Sequence, residues 1–326
     1  MRALRDPGFL GSILAAILLP LVLPSVALAT EVVVFIIATL GCTLLLGYVG
    51  LLSFGQAIFF GFGAYACGLA LLNLGVGTFA ALGITLIGSM LVGLVIGILA
   101  TQKRGIYLVM LTFAFSEMFY FAAYAMAGLT GGENGLLNIP RPALAIGPLT
   151  LSRLATPLSF YVFAAIIFLV IYFFFCLLAA SPFGATLIAI RENEDRAAAL
   201  GYNVRLFKIA AFVVSAAVTG IAGGIYVLFL NFAPLSNIDV GMSERILIMS
   251  ILGGTGSLFG GVLGATFFIV LGNILSAIWP RWLLIIGLLL ILVASYLRGG
   301  LLSGLTWALG RLPANRWPLA RGNTAR

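Results

Sequence analysis

The sequence predicts an all-α polytopic membrane protein with about ten transmembrane helices (eight to ten) and with both termini in the cytoplasm. The first observation is composition: 63% of the 326 residues are hydrophobic and 8% are charged, whereas soluble domains carry about 25% charged residues. The second is length, because the apolar runs approach the ~20 residues that cross a ~30 Å hydrocarbon core. The third is the one-sided distribution of basic residues, which sets orientation.

The apolar runs are separated by polar or glycine-rich connections, and the eighth run is marginal in length. The first also resembles a cleavable signal peptide with a site near Ala29; we favour an uncleaved span, since cleavage would leave an odd number of spans. The predicted spans are residues 8–28, 32–49, 50–73, 78–100, 105–127, 157–179, 208–231, 238–253, 258–277 and 281–298. We expect one membrane domain, residues 1–300, followed by a basic cytoplasmic tail, residues 301–326.

Few polar side chains interrupt these spans, and those few are candidates for lining a path through the membrane. The third span contains Ser53, Gln56 and Tyr65 among many glycines. That composition suits a path, although tight helix packing is the commoner explanation. Glu117 in the fifth span is the one carboxylate that we place deep in an apolar run, and such residues are functional suspects. Pairing with a neighbouring helix is the alternative for Glu117.

The most charged stretch of the chain is residues 181–208, SPFGATLIAIRENEDRAAALGYNVRLFK. Charged groups cost a few kcal/mol each in hydrocarbon, so we place this stretch outside the bilayer. Its pattern predicts a short helix with Ser181 as N-cap and Gly201 as C-cap. Two i,i+4 ion pairs are expected along it, Arg191 with Asp195 and Glu192 with Arg196. Its apolar and charged faces suit a docking surface for a soluble protein; an ordinary solvated loop is the alternative.

Most basic residues fall on one side of this topology. The N-terminal stretch, the loop at residues 103–104, residues 181–208 and the tail share that side. The positive-inside rule makes it cytoplasmic, and it places the loop at residues 128–157 outside. The outer basic residues are Arg141, Arg153 and Arg281, and Arg245 stays unassigned. The net charge of +8 therefore follows membrane topology and does not indicate nucleic-acid binding.

The sequence carries little chemistry of its own. It lacks a phosphate-binding GxxxxGK[ST] loop, a GxSxG nucleophile and an HExxH metal site. Histidine is absent, and Cys42, Cys67 and Cys176 have no CxxC spacing, so we predict no catalytic residue, no metal site and no cofactor. These observations favour a pore-forming subunit that another protein powers, rather than an enzyme.

Four separated stretches, in order, resemble the permease of bacterial branched-chain amino acid ABC importers, most closely the LivM type. The resemblance covers roughly residues 40–300. Its motifs are GYVGLLSFGQAIFFGFGAYA (47–66), TGGENGLLNIPRP (130–142), SPFGATLIAIRENEDRAAALGYNVRLFKIAAFVVSAAVTGIAGGIY (181–226) and ILGGTGSLFGGVLGATF (251–267). Asp195-Arg196-Ala197 and Gly201 keep the spacing of the EAA-xxx-G signature of ABC permeases, although Asp replaces Glu and Arg the first Ala.

The resemblance implies uptake across the bacterial inner membrane and a set of partners. These are a second permease of the LivH type, two ATP-binding subunits and a periplasmic substrate-binding protein. Residues 181–208 would be the coupling helix that contacts an ATPase, through Glu192, Asn193, Asp195, Arg196 and Gly201. The external residues Gly131, Gly132, Asn134 and Gly135 would lie toward the binding protein. Homologues often carry histidine where this chain has Gln56, so we expect no protonation role there.

The expected substrates are leucine, isoleucine and valine, which would pass between two permeases near Ser53, Gln56, Tyr65 and Glu117. A permease for urea or short amides is an alternative in the same superfamily. An ion-coupled secondary carrier that uses Glu117 is an alternative from another class.

Overall fold

A computed structural model describes residues 7–141, 144–146, 149–152, 156–296 and 299–303. The expected basic tail lies outside the described residues from position 304 onward. Helices dominate the described part, and their order follows the predicted spans. They are α1 (Pro7–Val22), α2 (Val26–Thr43), α3 (Gln56–Asn73), α4 (Thr78–Ala100), α5 (Ile106–Ala125), α6 (Ala127–Thr130), α7 (Pro157–Ala180), α8 (Pro182–Glu192), α9 (Glu194–Ala199), α10 (Val204–Leu230), α11 (Val240–Gly253), α12 (Leu258–Ile278) and α13 (Trp282–Tyr296).

Seven of these helices are long and apolar enough to cross a membrane, which confirms a polytopic helical membrane protein. They are α2 with its continuation to Val49, and α3, α4, α5, α7, α10 and α12. Two further apolar helices are shorter, at Gly8–Val22 and Trp282–Val293. The predicted eighth span is α11, which has 14 residues. At 1.5 Å per residue it extends about 21 Å, less than a hydrocarbon core.

The boundary between the first two predicted spans was wrong. The chain breaks at residues 23–25, and α2 begins at Val26 rather than after Glu31. The break has a local cause, because proline disfavours helical geometry in the residue before it, here Leu23 before Pro24. Ser25 then caps α2, its Oγ accepting a hydrogen bond from the Leu28 amide at 3.2 Å. Glu31 consequently lies in the second turn of a long apolar helix.

The third predicted span was also wrong at its start. After α2 the chain makes a π-helical segment, Leu44–Val49, which ends at Gly50 with φ +77°. Residues 50–55 are not helical, and α3 begins only at Gln56. π-helical turns and left-handed glycines often mark functional positions. The chain therefore passes from α2 to α3 through irregular backbone that needs partners from other helices.

Helix α10 forms the centre of the bundle and packs along α2, α3 and α4. Glycines allow these helices to approach closely. A Cβ on Gly93 of α4 would lie 2.4 Å from the Ala216 Cβ, and one on Gly220 would lie 2.0 Å from the Ser89 Oγ. Against α3, a Cβ on Gly223 would lie 1.9 Å from the Phe60 carbonyl oxygen. The three helices thus meet backbone to backbone.

Helices α11 and α12 form a second glycine-packed unit. A Cβ on Gly264 of α12 would lie 2.0 Å from the Met249 carbonyl oxygen of α11. The unit is joined to α2 by a hydrogen bond between the Thr43 and Ser250 hydroxyls at 3.1 Å. Cys42, Cys67 and Cys176 are buried within the bundle, and none of them forms a disulfide within the described part of the chain.

The described part of the predicted irregular loop, residues 128–157, contains two short strands. Strand β1 (Leu144–Ile146) pairs antiparallel with β2 (Leu149–Ser152), a short hairpin beside the all-helical bundle. A separate antiparallel bridge joins Leu136 to Ala233, which precedes α11. The loop is thereby held against the connection between α10 and α11.

We expect Gly223→Ala to destabilise the bundle, because its Cβ would meet the Phe60 carbonyl and force α3 away from α10. Overpacking of this kind costs typically about 1–3 kcal/mol. Unfolding of the purified protein in detergent, followed by near-UV circular dichroism against denaturant, measures the change.

The control is Gly83→Ala in α4, whose Cβ would have no heavy atom within 4 Å. Alanine favours helix over glycine by about 1 kcal/mol, so this variant should be as stable as the natural chain or more stable. Equal destabilisation of the two variants would contradict the close-packing argument.

Candidate functional site

The charged stretch folds as two short helices, not as the single helix expected. Helix α8 starts as predicted, with Ser181 accepting a hydrogen bond from the Gly184 amide at 3.3 Å. It stops at Asn193, whose extended backbone begins a new turn and whose Oδ1 caps α9 by accepting from the Arg196 amide at 2.8 Å. Gly201 follows α9 with φ +89°, in the left-handed conformation typical of helix ends.

The break at Asn193 changes the ion pairs. The expected pairs Arg191–Asp195 and Glu192–Arg196 are not among the salt bridges of the described residues, because the helical register that would align them is interrupted. Glu194 instead receives Lys208 Nζ at 2.6 Å and Arg104 Nη2 at 3.2 Å, and Asp195 receives Arg104 Nη1 at 3.3 Å. These ion pairs therefore connect the α8–α9 pair to α10 and to the α4–α5 loop.

Lys208 is the most buried member of this network. Its side chain is only 5% exposed, and Glu194 is 25% exposed, whereas Asp195 is 88% exposed. A buried ammonium without a partner would be costly, so the Lys208–Glu194 contact holds α9 at the base of α10. Ile190, Ala197 and Val204 form a small apolar cluster beside it.

Arg191 connects α8 to the irregular segment that follows α2. Its guanidinium donates a hydrogen bond to the Gly47 carbonyl oxygen inside the π-helical turn. Its aliphatic stem lies against Gly50, where a Cβ would come within 2.7 Å of the Arg191 Cγ. A displacement of α8 therefore acts directly on the point where α2 ends.

The five residues predicted to contact an ATPase all face solvent. They are Glu192, Asn193, Asp195, Arg196 and Gly201. Leu200, Tyr202 and Leu206 lie nearby and are exposed as well, with Leu200 at 73%. We call these exposed residues of α8, α9 and the start of α10 the docking surface, after the role predicted for them from the sequence. Interfaces of soluble partners combine such apolar residues with a polar rim.

The irregular backbone before α3 is hydrogen-bonded by side chains from three places: the segment itself, α5 and α11. Ser53 Oγ accepts from the Gly55 amide at 3.1 Å, and Thr112 of α5 accepts from the Phe54 amide at 3.2 Å. Ser243 of α11 accepts from the Ala57 amide at 2.7 Å and donates to the Phe54 carbonyl oxygen at 2.5 Å. Non-helical backbone is tolerated at membrane depth when the surrounding protein satisfies it in this way.

Gln56 is fully buried, and hydrogen bonds occupy its amide. Its Nε2 donates to Ser215 Oγ at 3.2 Å, and its Oε1 accepts from Thr219 Oγ1 at 2.9 Å, both on α10. Ser215 in turn donates to the Gly41 carbonyl oxygen of α2 at 2.8 Å. Gln56 thus joins α3 to α10 and, through Ser215, to α2.

Tyr65 lines an apolar cavity of about 550 Å³ between α3, α4, α5 and the loop that follows α5. Its hydroxyl is buried and has no hydrogen-bond partner among the described residues. Glu117 lies in the middle of α5 and is partly exposed. Helix α5 is the least buried of the seven long helices, so the carboxylate of Glu117 sits on a loosely covered part of the bundle.

The GGENG turn after α6 depends on glycine. Gly131, Gly132 and Gly135 all have φ between +59° and +78°, a region that other residues rarely adopt. Asn134 is exposed at this turn. Arg141, farther along, donates its Nε to the Leu228 carbonyl oxygen of α10 and lies 5.1 Å from the centre of the Phe160 ring. Partial burial lowers the pKa of the Arg141 guanidinium from its ordinary value.

Sequence reasoning missed a polar cavity at the same end of the bundle as this turn. Its walls come from α2, α10, α11, α12 and α13, and it holds Glu31, Tyr226, Arg245, Asn273 and Ser276. Glu31 was assigned to a connection between spans and Arg245 to neither side. The signal was the proline at position 24, which places the helix start before Glu31 and the carboxylate within the span.

The described residues include no group of three or more Asp, Glu or Cys side chains placed to hold a metal ion.

Comparison with known proteins gives a family match over most of the chain. Residues 25–294 match the family model "Branched-chain amino acid transport system / permease component". The chain is 29% identical over 300 residues to the high-affinity branched-chain amino acid transport system permease protein LivM of Escherichia coli K12, covering 85% of this chain and 70% of that protein.

Two further relatives extend the comparison. A probable branched-chain amino acid transport permease protein LivM of Methanocaldococcus jannaschii is 27% identical over 319 residues, covering 82% of this chain and 90% of that protein. The autoinducer 2 import system permease protein LsrC of Escherichia coli O9:H4 is 28% identical over 144 residues, covering 41% and 42%. No solved structure matches the chain.

We expect Lys208→Met to loosen α9, since Glu194 would lose its buried partner. An unsatisfied buried polar group costs about 1–3 kcal/mol, so amide hydrogen exchange of residues 194–202 should accelerate roughly tenfold or more. Arg205→Met is the matched control, because it also removes one positive charge from α10 but at an exposed position. Similar exchange in both variants would show that the Lys208–Glu194 contact does not hold α9.

Proposed function

The chain belongs to the family of branched-chain amino acid transport system permease components, and from that premise we propose how it works in an ABC importer. It is a multi-pass inner-membrane transport subunit and not an enzyme. We propose that it takes up leucine, isoleucine and valine, as the printed functions of its LivM relatives suggest. The observation that carries the mechanism is the docking surface joined through Arg191 to the break between α2 and α3.

We propose that the docking surface faces the cytoplasm, as do both termini, and that ten helices cross the membrane. The contacts of Arg104 with Glu194 and Asp195 bring the α4–α5 loop and the α8–α9 pair to one end of the bundle. That end collects Lys103, Arg104 and the basic residues of positions 191–208, in keeping with the positive-inside rule. The short helices α1, α11 and α13 then complete an even number of crossings.

We propose that α8 and α9 are the coupling helices for one of two ATP-binding subunits. Their charged and apolar residues are exposed, while Lys208, Arg104 and Arg191 fix them to three different parts of the bundle. A partner that pushes on this pair would therefore move α10, the α4–α5 loop and the π-helical end of α2 together. ATP binding and hydrolysis in the partner would supply the work, because this chain has no phosphate-binding loop.

The substrate path is proposed to run between this chain and a second permease of the LivH type. Helix α5 leaves Glu117 partly uncovered in an apolar span, and a carboxylate exposed to lipid would be costly. A second permease over α5 would cover it. Ser53, Gln56 and Tyr65 lie on or before α3, which packs against α5; Ser53 and Gln56 would act by positioning α3 and Tyr65 by lining the apolar cavity.

The outer loop is proposed as the contact for a periplasmic substrate-binding protein. Gly131, Gly132 and Gly135 give the GGENG turn its shape, and Asn134 is presented at its surface. The bridge between Leu136 and Ala233 ties this turn to the connection before α11. Docking of the binding protein at this turn would thus act on α11, whose Ser243 hydrogen-bonds to the segment that precedes α3.

Charge reversal on the docking surface should release the ATPase. We expect the double variant Asp195→Lys/Arg196→Glu to lower ATPase co-purification about tenfold or more, since juxtaposed like charges cost several kcal/mol. Membrane insertion should be unchanged. Glu133→Lys, an exposed charge reversal in the GGENG turn at the other end, should leave ATPase association intact. Unchanged co-purification of the double variant would refute the docking assignment.

The function itself is tested by uptake of labelled leucine into proteoliposomes that hold this chain, its partner permease and the ATPases. We expect uptake only when a binding protein and ATP are both supplied. Competition with valine, urea and short amides then sets the substrate class. Uptake driven by an ion gradient without ATP, and lost in Glu117→Gln, would favour the secondary carrier instead.

A further inference from the structure

The cavity around Glu31 brings opposite charges together among apolar walls. Its polar residues come from four helices: Glu31 from the second turn of α2, Tyr226 from near the end of α10, Arg245 from the second turn of α11, and Asn273 and Ser276 from the end of α12. These positions lie at the end of the bundle opposite the docking surface. The cavity measures about 200 Å³ and is open to the outside, where Arg245, Asn273 and Ser276 are exposed.

Glu31 and Arg245 both line this cavity but do not form an ion pair with each other. Both residues line the cavity together with Tyr226, so the three groups surround one volume. Within the described part of the chain, however, neither Glu31 nor Arg245 has an ion-pair partner within 4.0 Å. The salt bridges found there all involve Glu194 or Asp195. The carboxylate and the guanidinium are thus left as separate sites for complementary groups.

The remaining walls are apolar. Leu28 and Phe35 of α2, Met249 of α11 and Phe268 and Ile269 of α12 line the cavity. Phe35 is stacked on Phe60 of α3, with ring centres 5.9 Å apart, and both rings contact Tyr226. These packed rings form an aromatic floor on the side toward the centre of the bundle. An occupant would therefore meet two separate charges and a surface suited to an aliphatic side chain.

We propose that this cavity binds one free aliphatic α-amino acid within the permease, on the outer side of the aromatic floor. Glu31 would accept hydrogen bonds from the ammonium group, and Arg245 would donate two to the carboxylate. The aliphatic side chain would lie against Phe35, Met249 and Phe268. Pockets for drug-sized molecules measure roughly 300–1,000 Å³. The cavity, at about 200 Å³, is smaller, as suits a ligand of the size of one amino acid.

The proposal rests on the proposed import function, which supplies the outward orientation and the substrate class. It adds that the permease has its own recognition site for the two charged groups that all α-amino acids share. A phospholipid headgroup with an ammonium and a phosphate presents similar chemistry. We favour the amino acid because the cavity measures only about 200 Å³, which suits one small zwitterion, and because the proposed import function delivers that zwitterion to this end of the bundle.

The test measures binding of tritiated leucine to the complex of both permeases and the ATPases, in nanodiscs of phosphatidylglycerol and without binding protein. We expect Glu31→Gln and Arg245→Gln each to weaken binding about tenfold or more, because each removes a charge-assisted hydrogen bond. Glu31→Asp, which keeps the charge, should restore most of the affinity. Glu244→Gln is the matched control, an exposed neighbour on α11 outside the cavity, and should bind like the natural chain.

Analogues that lack one charged group separate recognition from a general structural effect. Competition by 4-methylpentanoate, which has no ammonium, should survive in Glu31→Gln and disappear in Arg245→Gln. Competition by isopentylamine, which has no carboxylate, should show the reverse. Equal loss of both competitors in both variants would overturn the assigned roles.

The remaining outcomes distinguish this proposal from the import function. If the natural complex takes up leucine with binding protein and ATP but binds none without binding protein, the site is refuted and the import function stands. If native mass spectrometry finds phosphatidylethanolamine retained through Glu31 and Arg245, with no leucine binding, the cavity is a lipid site and the proposal is wrong. If no leucine is imported, the import function fails independently of the variants.

Discussion

The fold depends on satisfying the backbone of residues 50–55 inside the bundle. A span in hydrocarbon is free to leave the helix only where neighbouring groups replace the lost hydrogen bonds. Here Ser53, Thr112 and Ser243 do so, and they come from the segment itself, from α5 and from α11. Three parts of the chain that are far apart in sequence must therefore keep their relative positions for α3 to begin where it does.

This irregular segment also lies between the docking surface and the polar cavity. On one side Arg191 holds the π-helical turn, so the docking surface contacts the end of α2 directly. On the other side Ser243 belongs to α11, two residues from Arg245 in the polar cavity. A shift of α8 and a change in the cavity would consequently both act on the backbone between α2 and α3. The glycine contacts of α10 with α3 and α4 keep the rest of the core in fixed register.

Hydrophobic length predicted most of the helices well, because an apolar run between polar connections has few alternatives in a membrane. This criterion failed where an apolar stretch is not helical along its whole length. Residues 50–55 are as apolar as a helix would be, and their irregular path depends on hydrogen bonds with the side chains of Ser53, Thr112 and Ser243. The break at Asn193 was similarly hidden, since its amide caps α9 and Glu194 is drawn to Lys208 and Arg104 rather than to its own helix. The exposure of the charged residues of α8 and α9 could be predicted from the sequence because charge excludes them from the bilayer, whereas the polar cavity required knowing which helices meet around Glu31.

The burial of all three cysteines gives the protein an experimental property of its own. Cys42, Cys67 and Cys176 are at most 6% exposed, so a hydrophilic maleimide added to the folded protein should find hardly any native thiol. A single cysteine introduced on the docking surface, in the GGENG turn or beside the polar cavity would then be the main labelled position. Spectroscopic distances between two such labels could follow the molecule through its transport cycle without first removing the natural cysteines.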